Sequence, residues 1–386
     1  MHIGILTGGG DVPSLNPCIK QVVTRALDEG HSITGILRGW GGLLNFNPAS
    51  PDSLAENTIN LDRRNTRTID RTGGTILWTS RTNPAKTAPN KVPEFLRGTG
   101  FDPNSKTLDF TAHVLTVLAF LKIDVLIAIG GDDTLSYGAR LHKEGFPVIL
   151  IPKTMDNDVT GTDYCIGFST AITRSVQAVN NLRSTTGSHE RIGIIELFGR
   201  TAGHTSLITA YLSGADRCLI SEVPYEIERL AELLMSDKRA NPRNYAMLTV
   251  SEGCREVAGE IVQSDKHTYD AYGHKKLGGI GGIISGQLER LTGQGTVPVA
   301  LSFLMRAGPA DTLDLMVAKT FANCAMDLLS EKIYGRLVGI REGRYTHVDA
   351  SEPAIGPRKV DTETLYDKIA YRPDLKQAIG LPMFLR

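Results

Sequence analysis

Two stretches between residues 125 and 158 combine glycine, acidic and basic residues at the ends of predicted strands. An apolar run at 125–129, VLIAI, is typical of a buried parallel strand, and GGDDT follows it at 130–134. A second predicted strand at 147–151 is followed by PKTMDND at 152–158. Ligands of open α/β sheets bind at such strand ends. The two ends supply four carboxylates and one ammonium, from Asp132, Asp133, Asp156, Asp158 and Lys153.

These residue types are the ones that phosphoryl transfer requires. Paired glycines let the backbone turn sharply and let an anion approach, and the helix predicted at 135–143 would aim its N–H groups at the turn. A carboxylate can hold Mg²⁺, a lysine can offset phosphate charge, and a second carboxylate can take a proton from a hydroxyl. GGDDT alone could equally be an ordinary turn. PKTMDND favours chemistry, because it places Lys, Thr and three polar acceptors within seven residues.

A glycine-rich turn also follows the first predicted strand, at 3–7. GGGD occupies 8–11, and a helix is predicted to open at Asn16-Pro17 and to end near Gly30. Such a turn is a candidate phosphate loop, although glycine-rich turns alone are weak evidence.

Composition limits the functional classes. The chain has 386 residues, enough for one large or two medium domains. Lys+Arg and Asp+Glu number 42 each, so the basic excess typical of nucleic-acid binding is absent. No apolar run approaches about 18 residues, so no membrane span is predicted. A strand beginning at His2 leaves no room for a signal peptide, and five scattered cysteines favour reduced thiols. We therefore expect a cytoplasmic protein.

Strand and helix patterns alternate along the chain, which predicts an α/β fold with mostly parallel sheets and helices on both faces. A short strand is predicted within 73–84 and a hairpin at 339–347. The sequence shows no linker, low-complexity tract or internal repeat. We predict an N-terminal α/β lobe at 1–160, which binds the donor and metal, a second α/β lobe at 161–349, which binds the acceptor, and a polar tail at 350–386.

Several segments resemble the phosphofructokinase family in order and spacing. They are GILTGGGDVPSLNPCI, GGTILWTSRTNP, IGGDDTL, IPKTMDND, TDYCIGFSTA and SHERIGIIELFGR with the helix after it. The resemblance covers most of the chain. It implies a phosphofructokinase-like fold of two similar three-layer α/β lobes with the active site between them. It also implies phosphoryl transfer to the 1-hydroxyl of fructose 6-phosphate with Mg²⁺.

Two positions resemble the pyrophosphate-using branch of that family, because ATP users carry glycine where this chain has Asp133 and Lys153. A carboxylate at 133 would oppose the α-phosphate of ATP, and an ammonium at 153 can reach the short pyrophosphate donor. The segment 273–279 is also similar to one in several members of that branch. The implied reaction is reversible and belongs to glycolysis or gluconeogenesis.

The resemblance also implies roles for individual residues. Those assigned to the donor are Gly10, Arg81, Gly131, Asp132, Asp133, Thr134 and Lys153, with Asp132 as the Mg²⁺ ligand. Those assigned to the acceptor are Thr154, Met155, Asp156, Arg191, Phe198, Gly199, Arg200, Glu252 and Arg306. Asp156 is the implied general base, and the implied catalytic set also contains Lys153, Asp133 and Arg200. Arg191 is implied to serve a neighbouring subunit, so a homodimer or homotetramer with shared active sites is expected.

The resemblance fails near residue 300, where the chain reads GTVPVALSFLMRAGP. With Arg306 aligned, Val297 replaces a phosphate-binding arginine and Phe303 a histidine. Losing a hydrogen bond to a charged group costs about 1.5–3 kcal/mol. We therefore expect a high KM for fructose 6-phosphate unless another cation substitutes. Candidate cations are Lys275, Lys276 and Arg290.

Four alternatives stay open. The acceptor could be a longer ketose phosphate such as sedoheptulose 7-phosphate. An ATP-dependent kinase of the same fold is opposed by Asp133 and Lys153. NAD and lipid kinases share GGD but lack PKTMDND. A non-catalytic sugar-phosphate sensor would have no need of both Asp132 and Asp156.

Overall fold

The computed structural model describes residues 1–98, 101–257, 279–376, 379–380 and 382. The strands are β1 His2–Thr7, β2 Ser32–Ile36, β3 Thr58–Asn60, β4 Val125–Gly130, β5 Val148–Pro152, β6 Ile192–Leu197, β7 Arg217–Leu219, β8 Ala246–Ser251, β9 Thr296–Ala300, β10 Arg336–Arg341, β11 Arg344–Asp349, β12 Tyr366–Asp367 and β13 Arg372–Pro373. The helices are α1 Leu15–Asp28, α2 Trp40–Asn45, α3 Ser53–Asn57, α4 Thr111–Phe120, α5 Asp132–Lys143, α6 Phe168–Ser188, α7 His204–Ser213, α8 Ile227–Ala240, α9 Ile280–Thr292, α10 Thr312–Ser330 and α11 Thr362–Leu365. None of the helices in these ranges combines the length and apolar character that a membrane span requires.

The chain divides into two compact units. Unit 1 comprises Met1–Thr154, Val159–Gly167 and Gly308–Gly356. Unit 2 comprises Met155–Asp158, Phe168–Ala307 and Pro357–Arg386.

These bounds differ from the predicted lobes at 1–160 and 161–349 and the predicted tail at 350–386. Residues 308–349 lie in unit 1, because β10 pairs with β5 in parallel and α10 packs along α1. Residues 155–158 lie in unit 2. The tail is shared, with 350–356 in unit 1 and the rest in unit 2.

Unit 1 is built on a seven-stranded sheet in the order β11-β10-β5-β4-β1-β2-β3. The five central strands run parallel, and β3 and β11 pair antiparallel at the two edges. Every residue of β4 is buried, as the apolar run predicts for a central strand. The predicted hairpin at 339–347 is present as β10 and β11. Neighbouring β1, β4 and β5 bring the ends of three predicted strands to one edge of the sheet.

Residues 73–84 form no strand, contrary to the prediction. Their carbonyl groups accept hydrogen bonds from distant parts of unit 1: Arg38 N donates to Leu77 O at 2.8 Å, and Oγ1 of Thr7, the last residue of β1, donates to Trp78 O at 2.9 Å. Trp78 has a φ of +54°, which breaks an extended backbone.

Unit 2 contains a four-stranded parallel sheet in the order β7-β8-β6-β9 and a short antiparallel pair, β12 and β13. Its central strands β6 and β8 are buried throughout. Phe198 directly follows β6 and Glu252 directly follows β8, so both occupy the carboxyl edge of this sheet. The two sheets confirm the predicted α/β class with mostly parallel strands.

Candidate functional site

The ends of β1, β4 and β5 bring the predicted donor-binding segments together in unit 1. Gly8 N donates to Ile129 O at 2.9 Å, and Lys153 N donates to Gly130 O at 2.9 Å. The sheet hydrogen bonding thus continues one residue past the strands. It joins the first glycine loop, the GGDDT segment and the start of the PKTMDND segment.

Thr134 locks two of these glycine turns together. A Cβ placed on Gly8 would lie 2.4 Å from Thr134 Oγ1, and one placed on Gly130 would lie 2.3 Å from Thr134 Cβ. Thr134 is itself buried. Both positions therefore need glycine because the threonine side chain occupies the space between the loops.

Helix α5 begins at this edge with two carboxylates in its first turn. Its N-cap is Gly131, whose carbonyl accepts from Thr134 N at 2.9 Å. Asp132 and Asp133 complement the positive end of the helix dipole. The same charges would repel a phosphate unless a cation lay close by, so an anion at this helix end requires a partner of positive charge.

Lys153 supplies one such charge. Its side chain is 3% exposed, and its Nζ lies 3.3 Å from where a Cβ on Gly9 would be. Gly9 has a φ of +81°, a conformation that glycine adopts without strain. The Lys153 ammonium therefore lies against the first glycine loop.

The segment around Arg81 runs along the same loop. Gly9 N donates to Ser80 O at 3.0 Å, and Thr79 Oγ1 donates to Gly9 O at 2.7 Å. Arg81 and Gly10 adjoin these contacts in the chain. The predicted donor residues thus gather at one edge of unit 1.

The carboxyl edge of the unit 2 sheet carries several of the predicted acceptor residues, among them Phe198, Gly199, Arg200 and Glu252. Glu252 N donates to Leu197 O at 2.9 Å, and Gly253 N donates to Gly199 O at 3.1 Å. A Cβ on Gly253 would lie 1.9 Å from Arg200 O. These close contacts fasten the turn that contains Phe198, Gly199 and Arg200 to the segment after β8.

Asp156 is surrounded by charged groups of unit 2. Burial raises the pKa of this carboxyl well above its usual value, and the carboxylates of Asp158 and Glu252 raise it further. The guanidinium groups of Arg200 and Arg306 act in the opposite direction. Four predicted acceptor residues, Asp156, Arg200, Glu252 and Arg306, therefore lie close enough to affect one another's charge. Asp158, to which the family resemblance assigns no role, belongs to the same group.

Arg306 lies beside two aromatic rings that also contact each other. Its guanidinium carbon is 4.9 Å from the ring centre of Phe303 and 5.9 Å from that of Phe198. The ring centres of Phe198 and Phe303 are 6.0 Å apart, and the ring planes make an angle of 67°. Phe303 is 65% exposed, so it offers solvent an aromatic face where the family has a histidine. Val297 lies within β9, opposite Gly193 of β6.

Arg191 lies at the other end of β6. It directly precedes this strand of six residues, while Phe198 directly follows it, and the strand spans roughly 20 Å. Within one chain the structure therefore does not bring Arg191 to the Asp156 group.

The remaining predicted residues lie elsewhere. Arg290 is exposed in the last turn of α9, which leads into the start of β9. Lys275, Lys276 and the segment 273–278 lie outside the described residues. Met155 is buried next to Asp156 in the chain, and Thr154 ends the first segment of unit 1.

Two residues near Asp156, His204 and Arg358, were assigned no role from the sequence. His204 begins α7 and is buried. Burial, and then the charge of Arg358, lower its pKa to about 3, although an interaction with the main chain of Asp156 acts to raise it. Arg358 belongs to the polar tail, and its main-chain N donates to Asp158 O at 2.7 Å. Asp158 lies within PKTMDND, so the motif itself could have indicated it.

The two units carry glycine turns and charged residues at the carboxyl ends of parallel strands, which is typical of enzymes that bind phosphorylated ligands. Comparison with known proteins gives the family. The family model described as Phosphofructokinase matches residues 2–329. The chain belongs to the phosphofructokinase family, and the predicted resemblance is confirmed.

Relatives within the family are named for both phosphoryl donors. Over 349 residues the chain is 36% identical to a Dictyoglomus thermophilum protein named pyrophosphate--fructose 6-phosphate 1-phosphotransferase, covering 90% of this chain and 92% of that protein. Over 340 residues it is 35% identical to a Chloroflexus aggregans protein named ATP-dependent 6-phosphofructokinase, covering 88% of this chain and 87% of that protein. Family membership alone therefore leaves the donor to be argued from residues.

The fold is similar to that of a solved relative. The crystal structure of a pyrophosphate-dependent phosphofructokinase from Marinobacter aquaeolei superposes with a TM-score of 0.75 at 16% identity, covering 97% of this chain and 88% of that chain. The predicted phosphofructokinase-like fold is confirmed.

Proposed function

We propose that this enzyme transfers a phosphoryl group reversibly from pyrophosphate to the 1-hydroxyl of fructose 6-phosphate. The observation that carries the choice of donor is the position of Lys153, whose buried ammonium lies against the Gly9 turn. A short donor without adenosine is held by charge, and a lysine at this position supplies it. Asp133, in the first turn of α5, opposes the additional phosphate of a nucleotide at the same edge.

Mg²⁺ fits the donor edge. Asp132 and Asp133 offer carboxylate oxygens, and Mg²⁺ commonly takes one or two carboxylates together with phosphate oxygens and waters. Among the residues that the structure describes, no cluster of three or more His, Cys, Asp or Glu could hold a metal. That pattern suits an ion that arrives with the donor. When bound, Mg²⁺ neutralises charge on the transferring phosphate.

Asp156 is the proposed general base. Its raised pKa makes the ionised carboxylate a stronger proton acceptor, and the nearby Arg200 and Arg306 limit how far it rises. The acceptor hydroxyl gives its proton to this carboxylate as the phosphoryl group moves. Arg200 and Arg306 also place positive charge where the anionic sugar phosphate binds.

The donor is tested by measuring product formation from fructose 6-phosphate with pyrophosphate, ATP or ADP, each with Mg²⁺. We expect activity with pyrophosphate and, in reverse, from fructose 1,6-bisphosphate with phosphate. A wild-type preference for ATP at saturating Mg²⁺ would overturn the proposed donor.

A longer ketose phosphate is the second candidate acceptor. The exposed Phe303 ring on Arg306 favours it, because a ring in place of a histidine removes one hydrogen-bond donor to the sugar phosphate. A lost bond of this kind weakens binding about ten- to a hundredfold.

Comparing kcat/KM for fructose 6-phosphate and sedoheptulose 7-phosphate with pyrophosphate decides between the two acceptors. We expect Phe303→His to lower the KM for fructose 6-phosphate about tenfold by restoring a donor. Leu304→His is the matched control, because Leu304 is the equally exposed next residue. A KM for fructose 6-phosphate that is micromolar in the wild type and unchanged in Phe303→His would contradict the expected weak acceptor binding.

The proposal extends to partners and location. We infer a cytoplasmic homodimer or homotetramer that acts on small molecules rather than on nucleic acid or membranes. The position of Arg191, one strand length from Phe198, supports a site completed by a neighbouring subunit.

A further inference from the structure

We propose that Arg358 and Glu222 are positioning residues that fix the segment 155–158 through residues 357–360, here called the tail strap. All of these residues belong to unit 2. The inference rests on the proposed function, because it concerns the segment that contains the proposed base Asp156.

One end of the tail strap holds the segment directly after Asp156. Arg358 N donates to Asp158 O at 2.7 Å, and Arg358 Nη1 approaches Asn157 O at 3.4 Å. Asn157 is buried and has a φ of +55°. Asn tolerates this left-handed conformation better than most residues, but the conformation still needs support from its surroundings. Arg358 supplies that support through two successive carbonyl groups.

The other end of the tail strap is tied to the turn that contains Arg200. Val360 N donates to Glu222 Oε1 at 2.9 Å, and Gly203 N donates to Glu222 Oε1 and Oε2 at 2.9 and 3.0 Å. One carboxylate thus joins the tail strap to the end of the turn. A Cβ on Gly203 would lie 2.7 Å from Glu222 Oε2, so this approach depends on glycine.

His204 lies close to both of these links. It follows Gly203 directly and is buried, and both Arg358 and the main chain of Asp156 affect its pKa. With its pKa lowered to about 3, it is neutral at any working pH and is no competitor of Asp156 as base.

Two hydrogen-bonded links therefore run through the tail strap, from Asp158 to Arg358 and from Val360 through Glu222 to Gly203. They fix Asp156 relative to Arg200, the residue pair on which proton removal and phosphate binding depend. Loosening either link should misplace the base without removing a substrate contact, and a misplacement of about 1 Å can cost a hundredfold in rate.

The test measures kcat and both KM values, with pyrophosphate and fructose 6-phosphate, for Arg358→Met, Glu222→Gln and the double variant. We expect kcat to fall about ten- to a hundredfold in Glu222→Gln and less in Arg358→Met, because Arg358→Met removes the contact of Nη1 with Asn157 O but keeps the main-chain bond to Asp158 O. Each KM should change less than about threefold. The double variant should lose less than the product of the two single losses, because both residues act through the same strap. Arg358→Lys should recover part of the loss.

Matched controls come from the same tail. Arg372→Met and Glu363→Gln alter exposed residues and should leave kcat within about twofold of wild type, since surface changes have small effects. If Arg358→Met does not fold, by circular dichroism, the isosteric Glu222→Gln carries the test.

Unchanged kcat in folded Glu222→Gln and Arg358→Met would overturn the inference. So would a raised KM at constant kcat, which would make the tail strap a substrate-binding element. A wild type inactive with pyrophosphate in both directions would instead defeat the proposed function, so the two failures are distinguishable.

Discussion

Four charged side chains control the protonation of Asp156, and they act in opposite directions. Asp158 and Glu252 raise its pKa, while Arg200 and Arg306 lower it. Since burial adds to the upward shift, the carboxyl remains protonated to a higher pH than an exposed aspartate. The activity of the proposed base must therefore be lost on the acid side as pH falls through this raised pKa.

Two variants, one lacking a nearby negative charge and one lacking a nearby positive charge, should shift the acid limb of the pH profile, where activity falls at low pH, in opposite directions. Glu252→Gln removes a negative charge and should shift the acid limb of kcat to lower pH. Arg306→Met removes a positive charge and should shift it to higher pH. Measuring kcat between about pH 5 and 9 at saturating substrates checks both signs. Shifts in the same direction would show that Asp156 is not the group that titrates.

The donor preference should also change through two residues. Asp133→Gly removes the charge that opposes a nucleotide, and Lys153→Gly removes the buried ammonium beside Gly9. We expect the double variant to gain measurable ATP activity and to lose pyrophosphate activity. Lys122→Gly is the control, because Lys122 is exposed with a φ of +53°, which glycine accepts easily. Unaltered donor preference in the double variant would remove both residues from this role.

At the scale of elements, the donor edge depends on side-chain packing between turns. Gly130→Ala would place a methyl group 2.3 Å from Thr134 Cβ, and we expect a loss of about 1–3 kcal/mol in the free energy of unfolding. Gly282→Ala in α9 meets no atom within 4 Å and should be neutral or stabilising. Urea unfolding of the two variants compares them. Equal stability would show that the backbone moves to relieve the clash.

Elements with a strong local pattern were predictable from sequence. An apolar run followed by glycines predicted β4, and a second apolar run followed by PKTMDND predicted β5, with both ends at one edge of the sheet, as the structure has them. The strand predicted within 73–84 was wrong. A local apolar run does not reveal that its main-chain carbonyl groups accept hydrogen bonds from segments distant in sequence. The tail strap could not be predicted, because two of its contacts are made by the main-chain N–H groups of Arg358 and Val360, which any residue but proline offers. Nothing local in the sequence places Glu222 or Asn157 beside it.

The candidate site was predictable for a different reason. Periodicity placed no residue beside Asp156; the family motifs did, and they led to Arg200, Glu252 and Arg306. His204 begins the helix that follows the SHERIGIIELFGR motif, but the motif gave no indication of its burial next to the Asp156 segment, which depends on the fold of unit 2.

At the scale of the whole molecule, Arg191 lies a strand length from Phe198, so a single chain lacks one predicted acceptor cation. Mixing an Arg191→Ala variant with an Asp156→Ser variant should restore activity that neither has alone, if subunits exchange and share sites. Each variant assayed separately is the control. No recovery after verified subunit exchange would show that Arg191 serves its own chain or none.

Unit 1 is assembled from three segments of the chain, and the last of them follows most of unit 2. During synthesis, β5 therefore emerges long before β10, its neighbour in the sheet, and the face of α1 that packs on α10 waits equally long. A strand edge and an apolar helix face left open in this way invite pairing with other chains. We expect the nascent protein to need shielding, or a delay in closing this sheet, until β10 and α10 have been synthesised.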